Sequence, residues 1–376
     1  MKIVFTGGGT GGHFYPIIAV AQKVNKIIDA EKLVGAKLYY FSDNPYDKEA
    51  LFENGLLYEE VTAGKMRIYF SFKNFFDLFK IFLGTINALF KLFSIYPDVV
   101  FGKGGYASFP TLLAARFLRI PVLIHESDSA PGRVNVWASH FAKKIAVSFK
   151  DAIEYFPKNK TAWTGQPIRA EIEQKADREK ALDYFHFESS LPVILILGGS
   201  QGAELINNTL LDALPRLVKN YQIIHQTGVR NFKMVKGRAE VVLEGDDNNT
   251  RYYGTPFLNS LQIKMAAGAS DIIVSRAGST IFEISAWAVP SILIPFTSSN
   301  ADHSKKNAFS YARTGAASVI EEMNMTANIL SSEIDRIIED KTTYVQMENG
   351  AKNFYKPEAA SKIARELVDI ALKHEK

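Results

Sequence analysis

Gly7-Gly8-Gly9-Thr10-Gly11-Gly12-His13 follows the apolar run KIVFT and precedes FYPIIAVAQKV, a helical pattern. Glycines at such a junction let backbone amides approach an anion, and the helix that follows adds a favourable field at its N-terminus. The arrangement returns at Gly198-Gly199-Ser200-Gln201-Gly202-Ala203 after PVILIL, and Gly102-Lys103-Gly104-Gly105-Tyr106 follows a third apolar run. One glycine loop can serve close helix–strand packing alone. Two at matching places in two halves of a chain point to phosphate binding. His13 closes the first loop, where an imidazole that titrates near neutrality could take a proton from a hydroxyl. It could equally cap the helix or hold a phosphate.

A nicotinamide-dependent dehydrogenase is the competing reading, because the first loop contains the GxGxxG spacing and Asp43 ends the next strand. Hydride transfer accounts neither for the added glycines nor for the second phosphate-type loop. The chain has no cysteine, which excludes disulfides, thiolate metal sites and cysteine nucleophiles. Its seven histidines show no close metal-ligand spacing, and no DxD pair stands at a strand end, so no metal or other cofactor is required. A net charge of +4 is too mild to suggest nucleic acid.

These loops need strands to carry them. KIVFTGGG, KLYYFSD, DVVFGKGG, PVLIHES and KIAVSF recur as apolar runs, and the pattern restarts with PVILILGGS, YQIIHQTG, DIIVSRAG and SILIPF. Continuous rather than alternating apolar strands suit parallel sheets covered on both faces. Strand–glycine–helix repetition that starts twice predicts an α/β chain of two Rossmann-like, doubly wound domains. Gly165 and Pro167 interrupt both periodicities, which sets the expected domains at 1–165 and 166–356. A final helix over 357–376, with Ile363, Leu367, Ile370 and Ala371 on one stripe, could pack on either.

Taken in order, GGGTGGHFYP, FGKGGYASFP, HESDSAPGRVN, TGQPIR, LGGSQGA, SRAGSTIFEISAWAVP and DHSKKNA run along nearly the whole chain. Together they resemble the MurG family, bacterial transferases of N-acetylglucosamine from UDP to lipid I in peptidoglycan synthesis. The resemblance implies a GT-B architecture, two such domains facing a central cleft, with the acceptor on the N-terminal domain and the donor mainly on the C-terminal one. It also implies inversion at the anomeric carbon, which needs a base for the acceptor hydroxyl and groups that stabilise the departing diphosphate.

By the same resemblance, Ser200, Gln201 and Gly202 bind the donor diphosphate, and Arg169 matches a phosphate-side arginine. Glu283 matches the glutamate that accepts hydrogen bonds from the ribose, and the turn carrying Gly278, Ser279 and Thr280 lies against the donor. Phe257 and Leu258 match the segment that covers the uracil. Ser304 stands where the family usually has a sugar-contacting glutamine, and Asp128 where many members have asparagine. The base is His13 or Asp128. Thr10, Gly11, Gly12, Gly104, Gly105 and Tyr106 form the acceptor-side diphosphate loops.

The stretch SFKNFFDLFKIFLGTINALFKLF puts Phe72, Phe75, Phe76, Phe79, Phe82, Leu83, Ile86, Phe90 and Phe93 on one helical face. Lys73, Asp77, Lys80, Asn87 and Lys91 fall on the other. Part of the apolar stripe is expected to pack on the first sheet, and the rest, beside Lys65 and Arg67, suits an anionic lipid surface. No uninterrupted apolar run reaches the ~18–20 residues that span a bilayer, and no cleavable signal peptide precedes the first strand. The expected location is therefore peripheral, on the cytoplasmic face of a bacterial inner membrane. Two alternatives remain at this point: a synthase moving another hexose from UDP onto a membrane lipid, and a non-catalytic UDP-sugar-binding subunit.

Overall fold

The computed structural model describes residues 1–65, 73–198, 203–297 and 302–374. Contacts divide the chain into one unit of Met1–Ala170 with Lys356–Lys376 and another of Glu171–Tyr355. Among the described residues the first unit holds a seven-stranded sheet. Its strands are β1 (Lys2–Thr6), β2 (Lys37–Ser42), β3 (Leu56–Glu60), β4 (Val99–Gly102), β5 (Val122–Glu126), β6 (Lys144–Val147) and β7 (Thr161–Trp163), ordered β3-β2-β1-β4-β5-β6-β7. Among its described residues the second unit has six: β8 (Val193–Leu197), β9 (Gln222–Gln226), β10 (Tyr252–Thr255), β11 (Ile272–Ser275), β12 (Ser291–Leu293) and β13 (Ala317–Val319), ordered β10-β9-β8-β11-β12-β13. Every pairing is parallel.

The apolar strand runs follow from this layering, because each sheet is covered on both faces. Ile3, Phe5 and Phe101 point into one core of the first unit, while Val4, Val100 and Ile124 point into the other. The second sheet divides likewise, with Ile194 and Ile196 on one side and Val193, Leu195 and Leu197 on the opposite one. In each sheet the chain winds outward from the first strand in both directions. The order reverses between β1 and β4 in the first unit and between β8 and β11 in the second. Ligands of open α/β sheets bind beyond the carboxyl ends of the strands at such a switch point. The glycine loop after β1 and the start of the loop after β8 both fall there.

The closing helix, Ala359–His374, packs on Gly11–Glu31 of the first unit, and Ile363, Leu367, Ile370 and Ala371 are all buried in that core. The chain leaves the first unit after Ala170, a few residues beyond the Gly165–Pro167 interruption, and returns at Lys356. Lys356 then lies over the Trp163 ring at 4.3 Å.

The helix Lys73–Ile95 corrects one expectation. Its aromatic stripe does not pack on the sheet: Phe75, Phe76, Phe79, Phe82, Leu83, Phe90 and Phe93 are each between 57% and 73% exposed. The inward face is the narrow one, made of Asp77, Gly84, Thr85, Ala88 and Leu92, and it lies along the helix Phe109–Phe117. Gly84 is required there, because a Cβ would overlap the Thr62 carbonyl. Gly84→Ala is expected to destabilise the first unit by about 1–3 kcal/mol, the scale of an overpacked contact, read as a fall in Tm. By length and composition Phe75–Ile95 could cross a bilayer, although two lysines interrupt its apolar run. Its inward face is committed to the domain instead. Phe72 lies outside the described residues.

Candidate functional site

In the first unit, the loops after β1, β4 and β5 stand side by side at the carboxyl edge of the sheet. Thr10 is exposed and extended at the start of the helix Gly11–Glu31, and no side chain caps that helix. The Thr10 carbonyl accepts from the His13 and Phe14 amides, which leaves Gly11 and Gly12 at the open first turn. A helix start of this kind presents amides to an anion.

His13 is half-buried in the first turn and packs against Gly105. Gly105 has φ +77°, and a Cβ there would meet His13 Cδ2 at 3.1 Å, so glycine answers both a backbone and a space requirement. Nδ1 of His13 is buried without a hydrogen-bond partner. Burial first, then the nearby Lys103 charge, pushes the imidazole down to about 4, with Asp128 acting in the opposite direction. The ring is therefore neutral at pH 7 and retains a lone pair.

Asp128 is half-buried on the turn after β5. Its amide donates to Glu126 Oε1 at 2.9 Å, and Glu126 Oε2 accepts from the Gly132 amide at 3.0 Å and Asn135 Nδ2 at 2.9 Å. Gly104 sits against Asn135. Tyr106 donates its hydroxyl to Asp43 at 2.9 Å. Asp43, the acidic residue of the dehydrogenase reading, is thus engaged within the same unit. Arg169 lies with its guanidinium 3.8 Å over the Tyr15 ring, an aromatic face that helps to orient it.

A buried polar chain beneath these loops was not singled out from the sequence. Lys103 donates to the Ser127 hydroxyl, and Ser127 and Ser148 donate to Gln166 Oε1 at 2.9 and 2.7 Å. His125 Nε2 is 3.2 Å from the Ser148 hydroxyl and 3.1 Å from the Gly165 carbonyl. The available signal was Lys103 itself, a charged residue between glycines directly after a buried strand, since lysine is almost never fully buried unless paired.

In the second unit, Arg276 follows β11 and precedes the exposed Gly278 and the half-buried Ser279 and Thr280. The helix Thr280–Trp287 carries Glu283, half-buried, in its first turn. Arg276 pairs with Glu322 at 2.5 Å and lies 5.0 Å from the Phe296 ring centre. Glu322 also accepts from the Thr297 amide at 3.0 Å and from its hydroxyl. These bonds, together with Arg276, hold the Glu322 carboxyl below its ordinary range despite the opposing effect of burial. Glu322 was another residue the sequence reading passed over.

Ser304 is turned to its own loop, where its Oγ accepts from the Phe296 amide at 3.1 Å. Phe257 is 47% exposed and Leu258 buried, with the Leu258 amide donating to Gln226 at 3.2 Å. An exposed ring and the Phe257 carbonyl, which also accepts from Thr255 at 3.2 Å, are what this segment offers a base. Ser200, Gln201 and Gly202 lie outside the described residues.

Two doubly wound units in one chain, with a glycine loop at the first switch point and Gly198 opening the loop at the second, define the GT-B class of nucleotide-sugar enzymes. The described fold is similar to MurG of Acinetobacter baumannii (TM-score 0.73, 24% identity, 98% of this chain and 99% of that one). It is also similar to UDP-GlcNAc 2-epimerase of Neisseria meningitidis (TM-score 0.68, 16% identity, 99% and 100%). At those identities the likeness is one of fold, and epimerases share it. Sequence separates the two. Residues 3–147 match the glycosyltransferase family 28 N-terminal domain and residues 193–365 its C-terminal domain. Over 346 residues the chain is 36% identical to UDP-N-acetylglucosamine--N-acetylmuramyl-(pentapeptide) pyrophosphoryl-undecaprenol N-acetylglucosamine transferase 2 of Bacillus anthracis, covering 91% of this chain and 93% of that protein. The chain belongs to glycosyltransferase family 28 and, within it, to the MurG family of hexosyltransferases.

Proposed function

We propose that this enzyme moves N-acetylglucosamine from UDP-N-acetylglucosamine to the muramyl sugar of undecaprenyl-linked lipid I, forming lipid II for peptidoglycan. The observation that carries the reading is the match of both domains to relatives named for that transfer. In it, the first unit takes the acceptor. Its diphosphate is met by the amides of Gly11 and Gly12 and by the loop Gly104–Tyr106, and His13 or Asp128 removes the proton from the attacking hydroxyl. That oxygen bonds to the anomeric carbon as the bond to UDP breaks, so the configuration inverts. A neutral imidazole with an unpartnered nitrogen favours His13 for this step.

The second unit takes the donor. Ser200, Gln201 and Gly202 with Gly278, Ser279 and Thr280 hold the diphosphate, Glu283 the ribose, and Phe257 with Leu258 the uracil. Arg169, over the Tyr15 ring of the first unit, is the cation assigned to phosphate in this reading. Ser304, whose Oγ accepts from the Phe296 amide, reaches the sugar through water. Glu283→Ala is expected to weaken UDP binding by ~1–3 kcal/mol, the scale of hydrogen bonds to a charged group. Calorimetry showing unchanged affinity would remove Glu283 from the donor site.

The exposed phenylalanine face of Lys73–Ile95, with Lys80 exposed beside it, is the surface by which the enzyme lies on an anionic lipid bilayer; the side chain of Lys73, assigned to the same surface from the sequence, lies outside the described residues. In this reading the enzyme is peripheral, on the cytoplasmic face of the membrane. No cofactor is part of this reading. The deciding experiment is transfer of label from UDP-N-acetylglucosamine to a short-chain lipid I analogue, with and without chelator, beside UDP-glucose and UDP-galactose. Preference for either hexose would overturn the donor assignment, and binding without transfer would overturn the enzyme.

A further inference from the structure

Lys103 is 1% exposed, yet it carries an ammonium. A buried cation costs several kcal/mol unless charges and hydrogen bonds compensate it. Its backbone is fixed on the strand edge, where its amide donates to the Thr6 carbonyl at 2.8 Å. The absent Cβ of Gly7 leaves room for the start of its side chain. Nζ ends at the Ser127 hydroxyl, between Glu126 and Asp128 in sequence.

The groups that face this ammonium come from each neighbouring element. His13 comes from the helix Gly11–Glu31, His125 and Glu126 from β5, and Asp128 from the turn that follows. Tyr106, on Lys103's own loop, is turned away to Asp43. Glu126 is itself buried, and its two oxygens bind the Asp128 and Gly132 amides and Asn135. One cation therefore answers two carboxylates, and the tether to Ser127 joins it to the turn that carries Asp128.

We propose that Lys103 is a positioning residue for the transfer: its buried ammonium, tethered to Ser127 in the Glu126–Asp128 turn, orients the turn that carries Asp128 and sets the charge of His13. The proposal rests on the reading of this face as the acceptor side. Its orienting part follows from the hydrogen bonds, which hold the turn to the floor of the loop after β4. Its electrostatic part has a sign. A positive charge beside an imidazole opposes protonation, so Lys103 adds to burial in keeping His13 neutral, against the pull of Asp128. Burial lowers Lys103 to about 8, and Glu126 and Asp128 raise it against that trend. The ammonium is thus still mainly charged at pH 7.

The test is an NMR titration of the intact protein labelled with carbon-13 in its histidine rings, with the His13 signal identified by its loss in His13→Asn. In the wild type, His13 is expected to stay neutral to below pH 5. In Lys103→Met, which keeps the length of the side chain without its charge, the midpoint should rise by a unit or more, and the acid limb of kcat/KM should move with it. Lys103→Gln, which keeps a donor for Ser127, replaces it if the methionine variant does not fold. A wild-type midpoint near 6.5, or an unmoved midpoint in a folded variant, overturns the proposal. So does slower turnover with an unshifted acid limb, the mark of a structural role alone. The titration needs no substrate, so a failed transfer assay beside a shifted midpoint would sink the transfer reading and leave the control of His13 standing.

Discussion

His13→Ala is expected to leave UDP affinity near its starting value and to lower kcat by roughly 10²–10⁴, the range for loss of a general base. The first half of that expectation follows from placement, since His13 belongs to the first unit while the donor contacts proposed around Glu283 belong to the second. The second half follows from its state. A base must be unprotonated to act, and an imidazole held at about 4 is unprotonated from pH 5 upward. If His13 is the base, kcat/KM should be flat between pH 5.5 and 7.5 and fall only toward about pH 4, where the ring gains its proton. An ordinary exposed histidine would bring the fall near ~6.5. Asp128→Asn is the matched comparison, because it keeps the shape and removes the charge. The variant with the larger loss identifies the base, and two variants that turn over like the parent would retire both.

Serine at Phe75, Phe76, Phe79 and Phe82 together should lower affinity for anionic vesicles by about 10²–10⁴. Burying a phenylalanine side chain is worth ~1.5–3 kcal/mol, and half-insertion of four gives roughly 3–6 kcal/mol. These four rings are already 60–68% exposed, so their removal subtracts little from the core. Tm and transfer to a short-chain acceptor should accordingly persist while transfer to acceptor in vesicles falls. Neutral vesicles should bind the parent more weakly by roughly fivefold for each lysine near the surface, the equivalent of about 1 kcal/mol each. Vesicle affinity equal to that of the parent would show that the face serves something other than lipid.

The fold could be read in advance because its signals are local. An apolar run, a glycine and a helical pattern recur within each strand-to-helix unit, and KIVFTGGG or PVILILGGS contains its whole signal. Orientation was less legible. Periodicity identified the phenylalanine stripe of Lys73–Ile95 but not which side of the helix faces inward. The clue lay opposite, in the small residues Gly84 and Ala88, of which Gly84 permits close approach to the Thr62 backbone. The closing helix had a clear stripe too, yet a stripe of Ile363, Leu367 and Ile370 fits any core of suitable shape.

At the site, single residues within glycine motifs stood out, which is why His13, Gly105 and Asp128 could be named and are found on adjoining loops. The chain of Lys103, Ser127, Gln166, Ser148 and His125 could not be assembled in this way. Its members come from separate segments, each an ordinary polar residue on its own, and only the fold brings them together. Glu322 was hidden for the same reason, being remote in sequence from the Arg276 it pairs with.

The return of the chain to the first unit has a consequence for synthesis. Glu171–Tyr355 is continuous and can begin to fold as soon as it clears the ribosome. The earlier-made unit lacks Ile363, Leu367, Val368 and Ile370 until the very last stretch emerges, although these belong to its core. At ~5–20 residues per second, that leaves an unfinished apolar surface waiting on the order of ten to forty seconds. The domain made first is thus completed last. Chaperone capture of ribosome-bound chains should concentrate on the N-terminal half, and a chain released short of Ala359 should fail there rather than in the half next to the break.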